Sequence, residues 1–268
     1  MYSHLAAYAF TPIDAPQALA DALRARAEAL ELLGTVLVAG EGVNLFLAGT
    51  AAAIDAFVDT LRADSRFDGL SVKRSVCARP PFARLKVKVK PEIISFRQDH
   101  ASPLVGRAPV VSPRDLQRWL AQGHDDAGRP LALLDTRNRE ETAYGTFAGA
   151  LTLPIDNFVD LPAALEAERH ALEGATVVSF CTGGIRCEKA ALWMREAGYG
   201  EVLQLDGGIL GYFEAVGGDG WQGDCFVFDA RIALDPSMRP LSERMPRQDV
   251  SPEHLPSGHM PSALENAA

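Results

Sequence analysis

The stretch Cys181-Thr182-Gly183-Gly184-Ile185-Arg186-Cys187 has the residue types and spacing of a loop that holds an anionic sulfur. An apolar run, Ala175-Thr176-Val177-Val178-Ser179-Phe180, leads straight into it with the β-branched content of a buried strand. A helical pattern, Glu188 to Ala197, follows. A cysteine at the end of a strand and the start of a helix meets converging backbone N–H groups and the positive end of the helix dipole. Both stabilise a thiolate. Gly183 and Gly184 allow the backbone to curl round the sulfur, and Arg186 adds fixed positive charge and hydrogen bonds that shape the loop. The alternative is a buried structural thiol, the usual state of a free cysteine. Two loop glycines and an adjacent arginine argue against it. As nucleophile, Cys181 would carry a persulfide whose outer sulfur lies among the amides of Thr182, Gly183, Gly184, Ile185, Arg186 and Cys187.

Other candidate groups leave two readings open each. Asp135 ends the apolar run Leu131–Leu134 and either fixes the cysteine loop or Arg186, or caps a helix. Cys187 is either a resolving thiol or a buried helix residue. Glu188 and Lys189 read as helix-start and solvent-facing residues. Cys225 precedes the alternation Phe226-Val227-Phe228 and is expected to pack there. The cysteines 77, 181, 187 and 225 contain no C-x2-C pair, and neither an iron-type His/His/carboxylate pattern nor a flavin fingerprint is present. No metal and no cofactor is therefore expected.

The elements that must position these groups fall into two parts. Residues 1–100 read β-α-β-β-α-β, the ferredoxin-like α+β pattern. Its pieces are a strand at Leu5–Phe10, a helix at Pro16–Leu33 with Asp14 as cap and Gly34 as stop, and a hairpin of Thr35–Ala39 and Val43–Ala48. A helix at Ala51–Arg62 capped by Thr50 and a strand at Leu70–Val76 complete it. Residues 101–111 read as a linker. From 112 to 235, short apolar strands alternate with helices, beginning with a Ser112-Pro113 helix start. That rhythm implies an α/β, doubly wound parallel sheet, whose ligands bind beyond the carboxyl ends of the strands. Asp135 and Cys181 both fall there. Residues 236–268 hold six prolines and few aliphatic side chains, the composition of a disordered or loosely wrapped tail.

Composition narrows the classes. The 268 residues, 47% hydrophobic and 23% charged, suit two soluble globular units. No apolar run approaches the roughly 20 residues that span a bilayer. The N-terminus lacks the pattern of a secretory signal, and the few cysteines show no disulfide framework, so a cytoplasmic location is expected. A net charge of −9 argues against indiscriminate nucleic-acid binding. Between Lys73 and Arg97, however, eight basic residues face one acid. Within that span Arg84-Leu85-Lys86-Val87-Lys88-Val89-Lys90 alternates strictly, so a strand there buries Leu85, Val87 and Val89. It lines Arg84, Lys86, Lys88 and Lys90 along the other face. Such a stripe is either a solvated, aggregation-resistant edge or a phosphate-tracking surface.

Taken together, Leu134-Asp135-Thr136-Arg137, Tyr144-Gly145-Thr146-Phe147-Ala148-Gly149-Ala150, the cysteine loop and Leu205-Asp206-Gly207-Gly208-Ile209 resemble a rhodanese domain. The loop from Cys181 to Arg186 has the six-residue size associated with sulfur chemistry, and related phosphatases use a longer one. Adding Phe82-Ala83-Arg84-Leu85-Lys86-Val87-Lys88, the continuation Cys187-Glu188-Lys189 and Cys225-Phe226-Val227-Phe228-Asp229, residues 1–235 resemble the oxygen-dependent tRNA uridine-34 hydroxylases. The resemblance implies 5-hydroxyuridine formation at the tRNA wobble position, O2 as substrate, tRNA as partner and an N-terminal domain that helps bind RNA. Gly40-Glu41-Gly42-Val43-Asn44-Leu45-Phe46 departs after the asparagine from the small-residue version common in that family. A Pro-rich tail also replaces the Cys-rich extension of some members. The competing class is a sulfurtransferase passing sulfane sulfur through a Cys181 persulfide. A third, an inactive rhodanese used as a binding module, is opposed by the intact loop.

Overall fold

The computed structural model describes residues 1–99 and 101–244. They form two compact units. The first comprises Met1–Ile93 with Phe228–Ile232 and residues 240–244, and the second Ile94–Val227 with Ala233–Arg239.

In the first unit, β1 (Tyr2–Phe10), α1 (Pro16–Ala29), β2 (Leu33–Ala39), β3 (Gly42–Gly49), α2 (Ala51–Arg62), β4 (Val72–Cys77) and β5 (Leu85–Val89) follow in chain order. The sheet order is β4-β1-β3-β2-β5, which is the ferredoxin-like arrangement with β5 added in parallel beside β2. Alternation decides what faces what. Leu5, Val36, Val38, Leu45, Leu47 and Val87 pack with Leu23 of α1 and Ile54, Phe57 and Leu61 of α2 into one core. Gly34 does not stop α1, which ends at Ala29; it lies inside β2 with φ +130°, and a Cβ there would sit 2.0 Å from Phe46 O. Only glycine tolerates that approach. Asp14 is likewise not the helix cap, a position held by Ala15 without a side-chain bond. Thr50 does cap α2, its side chain accepting from Ala53 N at 3.1 Å.

In the second unit come β6 (Val110–Val111), α3 (Pro113–Gln122), β7 (Leu131–Asp135), α4 (Arg139–Thr142), β8 (Gly145–Phe147), β9 (Leu151–Thr152), α5 (Leu161–Ala167), β10 (Thr176–Phe180), α6 (Ile185–Glu196), β11 (Glu201–Leu205), α7 (Gly208–Val216), β12 (Trp221–Gly223), β13 (Cys225–Phe226) and β14 (Ala233–Leu234). Strands β6-β11-β10-β7-β9 form one sheet, every pairing in it parallel. Leu134, Val177 and Val202 point into one core with Ala190 and Met194. Leu133, Val178 and Phe180 point into the other with Trp119, Tyr212 and Phe213. Both faces are covered, which is why β10 is buried along its whole length. No helix among the described residues is long and apolar enough to cross a membrane.

Two boundaries differ from the sequence expectation. The stretch read as a linker is partly structural: Ala101 and Ala108 lie in the core with Leu134 and Val177, and Val110–Val111 is the β6 edge strand. Its apolar side chains drive it onto the unit. The segment read as a tail begins with order. Asp235 accepts from Ser237 N, Arg239 N and Arg239 Nε at 2.9–3.0 Å. In α8 (Leu241–Arg244), Glu243 accepts from Ala78 N at 3.0 Å. Residues 245–268 of that expected tail lie outside the described residues.

Candidate active site

Strand β10 delivers Cys181 to the carboxyl end of the parallel sheet, and α6 starts at Ile185 behind it. Gly184, at φ +100°, makes the turn between them and donates its N–H to Cys181 Sγ at 3.2 Å. The amides at the start of α7 hold the outside of the loop: Ile209 N donates to Cys181 O at 2.9 Å and Leu210 N to Thr182 O at 3.1 Å. Gly208 permits this closeness, since a Cβ there would lie 2.5 Å from Cys181 O and 2.7 Å from Gly184 N. The Gly207-Gly208 pair in the sequence therefore builds the cysteine loop.

Cys181 is buried, and burial opposes its thiolate. Four groups outweigh that cost: a hydrogen bond from the Cys187 thiol, the Arg186 charge, and the amides of Arg186 and Gly184. Together they pull the Cys181 thiol down to about 5. Burial and the bond to the Cys181 sulfur push Cys187 well above the ordinary thiol value, so Cys187 stays protonated and donates. Its sulfur also lies 3.6 Å from Thr136 Oγ1. The pair thus divides into a stabilised thiolate and the thiol that donates a hydrogen bond to it.

Arg186 is positioned by a residue that the sequence did not single out. Glu141, fully buried in α4, accepts from Arg186 Nη1 at 2.5 Å and Nη2 at 2.7 Å. It also takes Asn138 N at 3.1 Å and Thr182 Oγ1 at 3.4 Å. Asn138-x-x-Glu141 has the form of a capping box, the one local signal that marks it. Asp135 reaches Arg186 through its charge, not by a hydrogen bond, and it does not cap α4, whose N-cap is Asn138. Its carboxylate instead accepts Arg137 Nε and Nη2 at 2.9 and 2.6 Å, and Thr146 Oγ1 at 2.8 Å. Arg137 is two residues away on the same turn, so the local partner captures Asp135. It then donates on to Gly145 O at 2.6 Å and lies over the Trp221 ring, framing the floor behind the loop.

Cys225 packs as expected, yet it does so beside the loop. Burial pushes its thiol up to about 12; Arg137 pulls it down, Glu141 pushes it up, and a bond with the Thr182 side chain pulls it down. Glu188 and Lys189 are corrected: both are buried in α6. Glu188 pairs with Arg107 and accepts from Gln204 Nε2 at 3.1 Å, while Lys189 Nζ donates to Ile94 O at 3.1 Å. A charged pair at this place in a helix reads as solvent-facing only while its distant partners are unseen.

In the first unit, the ladder beside β2 runs the full expected length, with Gly34 N donating to Arg84 O at 3.0 Å and Lys90 N to Val38 O at 2.9 Å. Val87 is buried and Leu85 half-buried; Val89, at the end of this edge strand, is 40% exposed rather than buried. Lys86 and Lys88 stand on the face away from the helices. Partial burial, then the charges of Lys90, Lys86 and Arg84, hold Lys88 below its ordinary value, a sign of crowded cations.

Comparison with known proteins matches both units. Residues 2–93 fit the UPF0176 acylphosphatase like domain, and residues 112–215 the rhodanese-like domain. A tRNA uridine(34) hydroxylase of Xanthomonas euvesicatoria pv. vesicatoria (strain 85-10) is 66% identical over 241 residues, covering 90% of this chain and 97% of that protein. Another, of Xanthomonas campestris pv. campestris (strain B100), is 65% identical over 243 residues, covering 91% and 96%. Among solved structures, a human single domain sulfurtransferase is 33% identical, covers 40% of this chain and 97% of that chain, and gives a TM-score of 0.33.

Proposed function

The chain belongs to the tRNA uridine(34) hydroxylase family, and we propose that it converts uridine 34 of tRNA to 5-hydroxyuridine with O2 as substrate and Cys181 as the reacting group. It is thereby a tRNA-modifying oxidoreductase carrying a rhodanese domain. The observation that carries the role of Cys181 is its thiolate-stabilising cage: an amide at 3.2 Å, the Cys187 thiol and the Arg186 charge around one buried sulfur. A thiolate so held is ready to bond an electrophilic carbon. Cys187 keeps its proton and donates a hydrogen bond to the sulfur, which leaves again as the stabilised thiolate. Arg186 acts through its charge, fixed in place by Glu141. Arg84, Lys86, Lys88 and Lys90 contribute phosphate contacts to the tRNA, and a cytoplasmic location follows from that substrate.

Sulfur transfer as the protein's activity is set aside, because relatives that match nearly the whole chain carry the hydroxylase name. The test is mass spectrometry of tRNA nucleosides from wild-type and deletion cells. Deletion should remove 5-hydroxyuridine and the wobble nucleosides made from it. A plasmid copy should restore them, and a Cys181→Ala copy should not. Identical nucleoside profiles with and without the gene would overturn the assignment.

A further inference from the structure

On the open face of the first sheet, Phe46 has no part in the function described above. Helices α1 and α2 cover the other face. On the open face the strand register sets one transverse row: Lys73 of β4, Ala6 of β1, Phe46 of β3, Thr35 of β2 and Lys86 of β5. Phe46 is 40% exposed on the central strand of a five-stranded sheet, a place where an aromatic ring would ordinarily be covered. Its neighbours in the row, Ala6 and Thr35, are small. At the strand spacing of about 4.8 Å, Lys86 stands two strands away, roughly 10 Å from the ring. Lys88 continues the charge along β5.

Both ends of this face are already occupied. At one, His4 and Ser75 are covered by Arg231, whose Nη1 donates to Ser75 Oγ at 2.7 Å and which Asp229 holds in place. At the other, Asn44 donates to Ile93 O at 3.3 Å, and Ile93 N donates to Glu41 at 2.8 Å. What stays open is a patch one or two rings wide, with an aromatic floor and cations at its edge.

We propose that this patch is a base-stacking platform, on which an unpaired base of the tRNA anticodon loop lies against Phe46 while Lys86 and Lys88 hold the adjoining phosphates. The inference rests on tRNA being the substrate and adds how the loop is gripped. A π-face and flanking cations fit single-stranded RNA, since in a duplex the base faces are already stacked.

Fluorescence anisotropy with the full chain and two labelled RNAs of equal phosphate number tests it: an anticodon stem-loop with uridine at position 34, and a blunt duplex. Phe46→Ala should weaken stem-loop binding about tenfold, with duplex binding unchanged. The slope of affinity against salt should stay the same. Phe46→Trp should bind the stem-loop at least as tightly as the native chain. The Lys86→Gln/Lys88→Gln pair should flatten the salt slope on the stem-loop by about 1.5. Stem-loop affinity of Phe46→Ala equal to the native value, or an equal loss on the duplex, overturns the platform. If the native chain hydroxylates uridine 34 in that case, the platform alone falls. A native chain that neither binds the stem-loop nor hydroxylates tRNA overturns the underlying function as well.

Discussion

Removing the carboxylate that anchors Arg186 is the sharpest test of how the site is held. In Glu141→Gln, one of the two oxygens facing the guanidinium at 2.5 and 2.7 Å becomes an NH2 group, so a donor meets a donor. Arg186 keeps its charge in a buried place with its partner neutralised. Breaking a buried ion pair from one side costs about 3–5 kcal/mol, because the remaining charge is left uncompensated. With a urea m-value of about 2 kcal/mol per M, the unfolding midpoint should fall by roughly 2 M. The assay is convenient, since Trp119, Trp193 and Trp221 all lie in the second unit and their fluorescence reports its unfolding. Arg186→Met should cost a similar amount. The double variant Glu141→Gln/Arg186→Met should lose far less than the sum of the two, since no unpaired charge remains. A Glu141→Gln midpoint within 0.3 M of the native one, roughly 0.6 kcal/mol at that slope, would refute the argument, as would strict additivity in the double variant.

Three further outcomes follow from the same geometry. Difference absorbance at 240 nm between the native chain and Cys181→Ser should show a thiolate well below the ordinary thiol range, towards pH 5; titration near 8.5 would contradict the cage. Because the folded value is depressed, this thiolate adds stability above the unfolded value of about 8.5–9, lost as pH falls towards 5, and Cys181→Ser should lack that slope. His4 is held neutral, its value lowered to about 3 by burial first and then by Arg231. Its contribution is present above pH 6.5 and lost as pH falls towards 3, by as much as about 5 kcal/mol. Circular dichroism of His4→Gln through that window should show a flatter acid decline, and an unchanged acid midpoint would count against the burial argument. Gly208→Ala puts a Cβ 2.5 Å from the Cys181 carbonyl in a residue at φ +62°, so it should destabilise the second unit by about 1–3 kcal/mol and fail to restore 5-hydroxyuridine in the deletion strain. Full restoration would mean that α7 does not shape the loop.

What could be read from the sequence was set by distance along the chain. The Cys181 loop, its strand and its helix are contiguous, so residue types alone pointed to the turn, the converging amides and a stabilised thiolate. The alternating basic strand was legible for the same reason: a period of two fixes which side chains share a face. The element order of the first unit also emerged from local caps and periodicity, and its sheet order then matched. The misreadings share a cause. Asp135 was weighed as a partner for the cysteine loop or Arg186, fifty-odd positions away, when Arg137 stood two residues off. Glu188 looked solvent-bound because Arg107 and Gln204, its partners, lie far along the chain. Gly34 looked like a helix stop because nothing local shows that Phe46 O would occupy its Cβ position.

Glu141 carries the lesson furthest. Buried carboxylates are costly unless compensated, so a Glu on a four-residue helix would by default be solvated. It is buried because Arg186 meets it with two hydrogen bonds, and the always-charged Arg186 is in turn buried beside Cys181 because Glu141 offsets its desolvation. Neither residue makes physical sense in that place alone. The charge beside the Cys181 sulfur is therefore a property of the pair, and α4, which carries Glu141, positions it. This predicts an asymmetry: Arg186→Lys should activate Cys181 less than the native arginine does, although the charge is the same. A lysine offers one point of contact to a carboxylate that is held by two, so the ammonium is not locked beside the sulfur. Its Cys181 thiolate should titrate above the native value in the same 240 nm experiment, and an unchanged titration would reduce Arg186 to a simple source of charge.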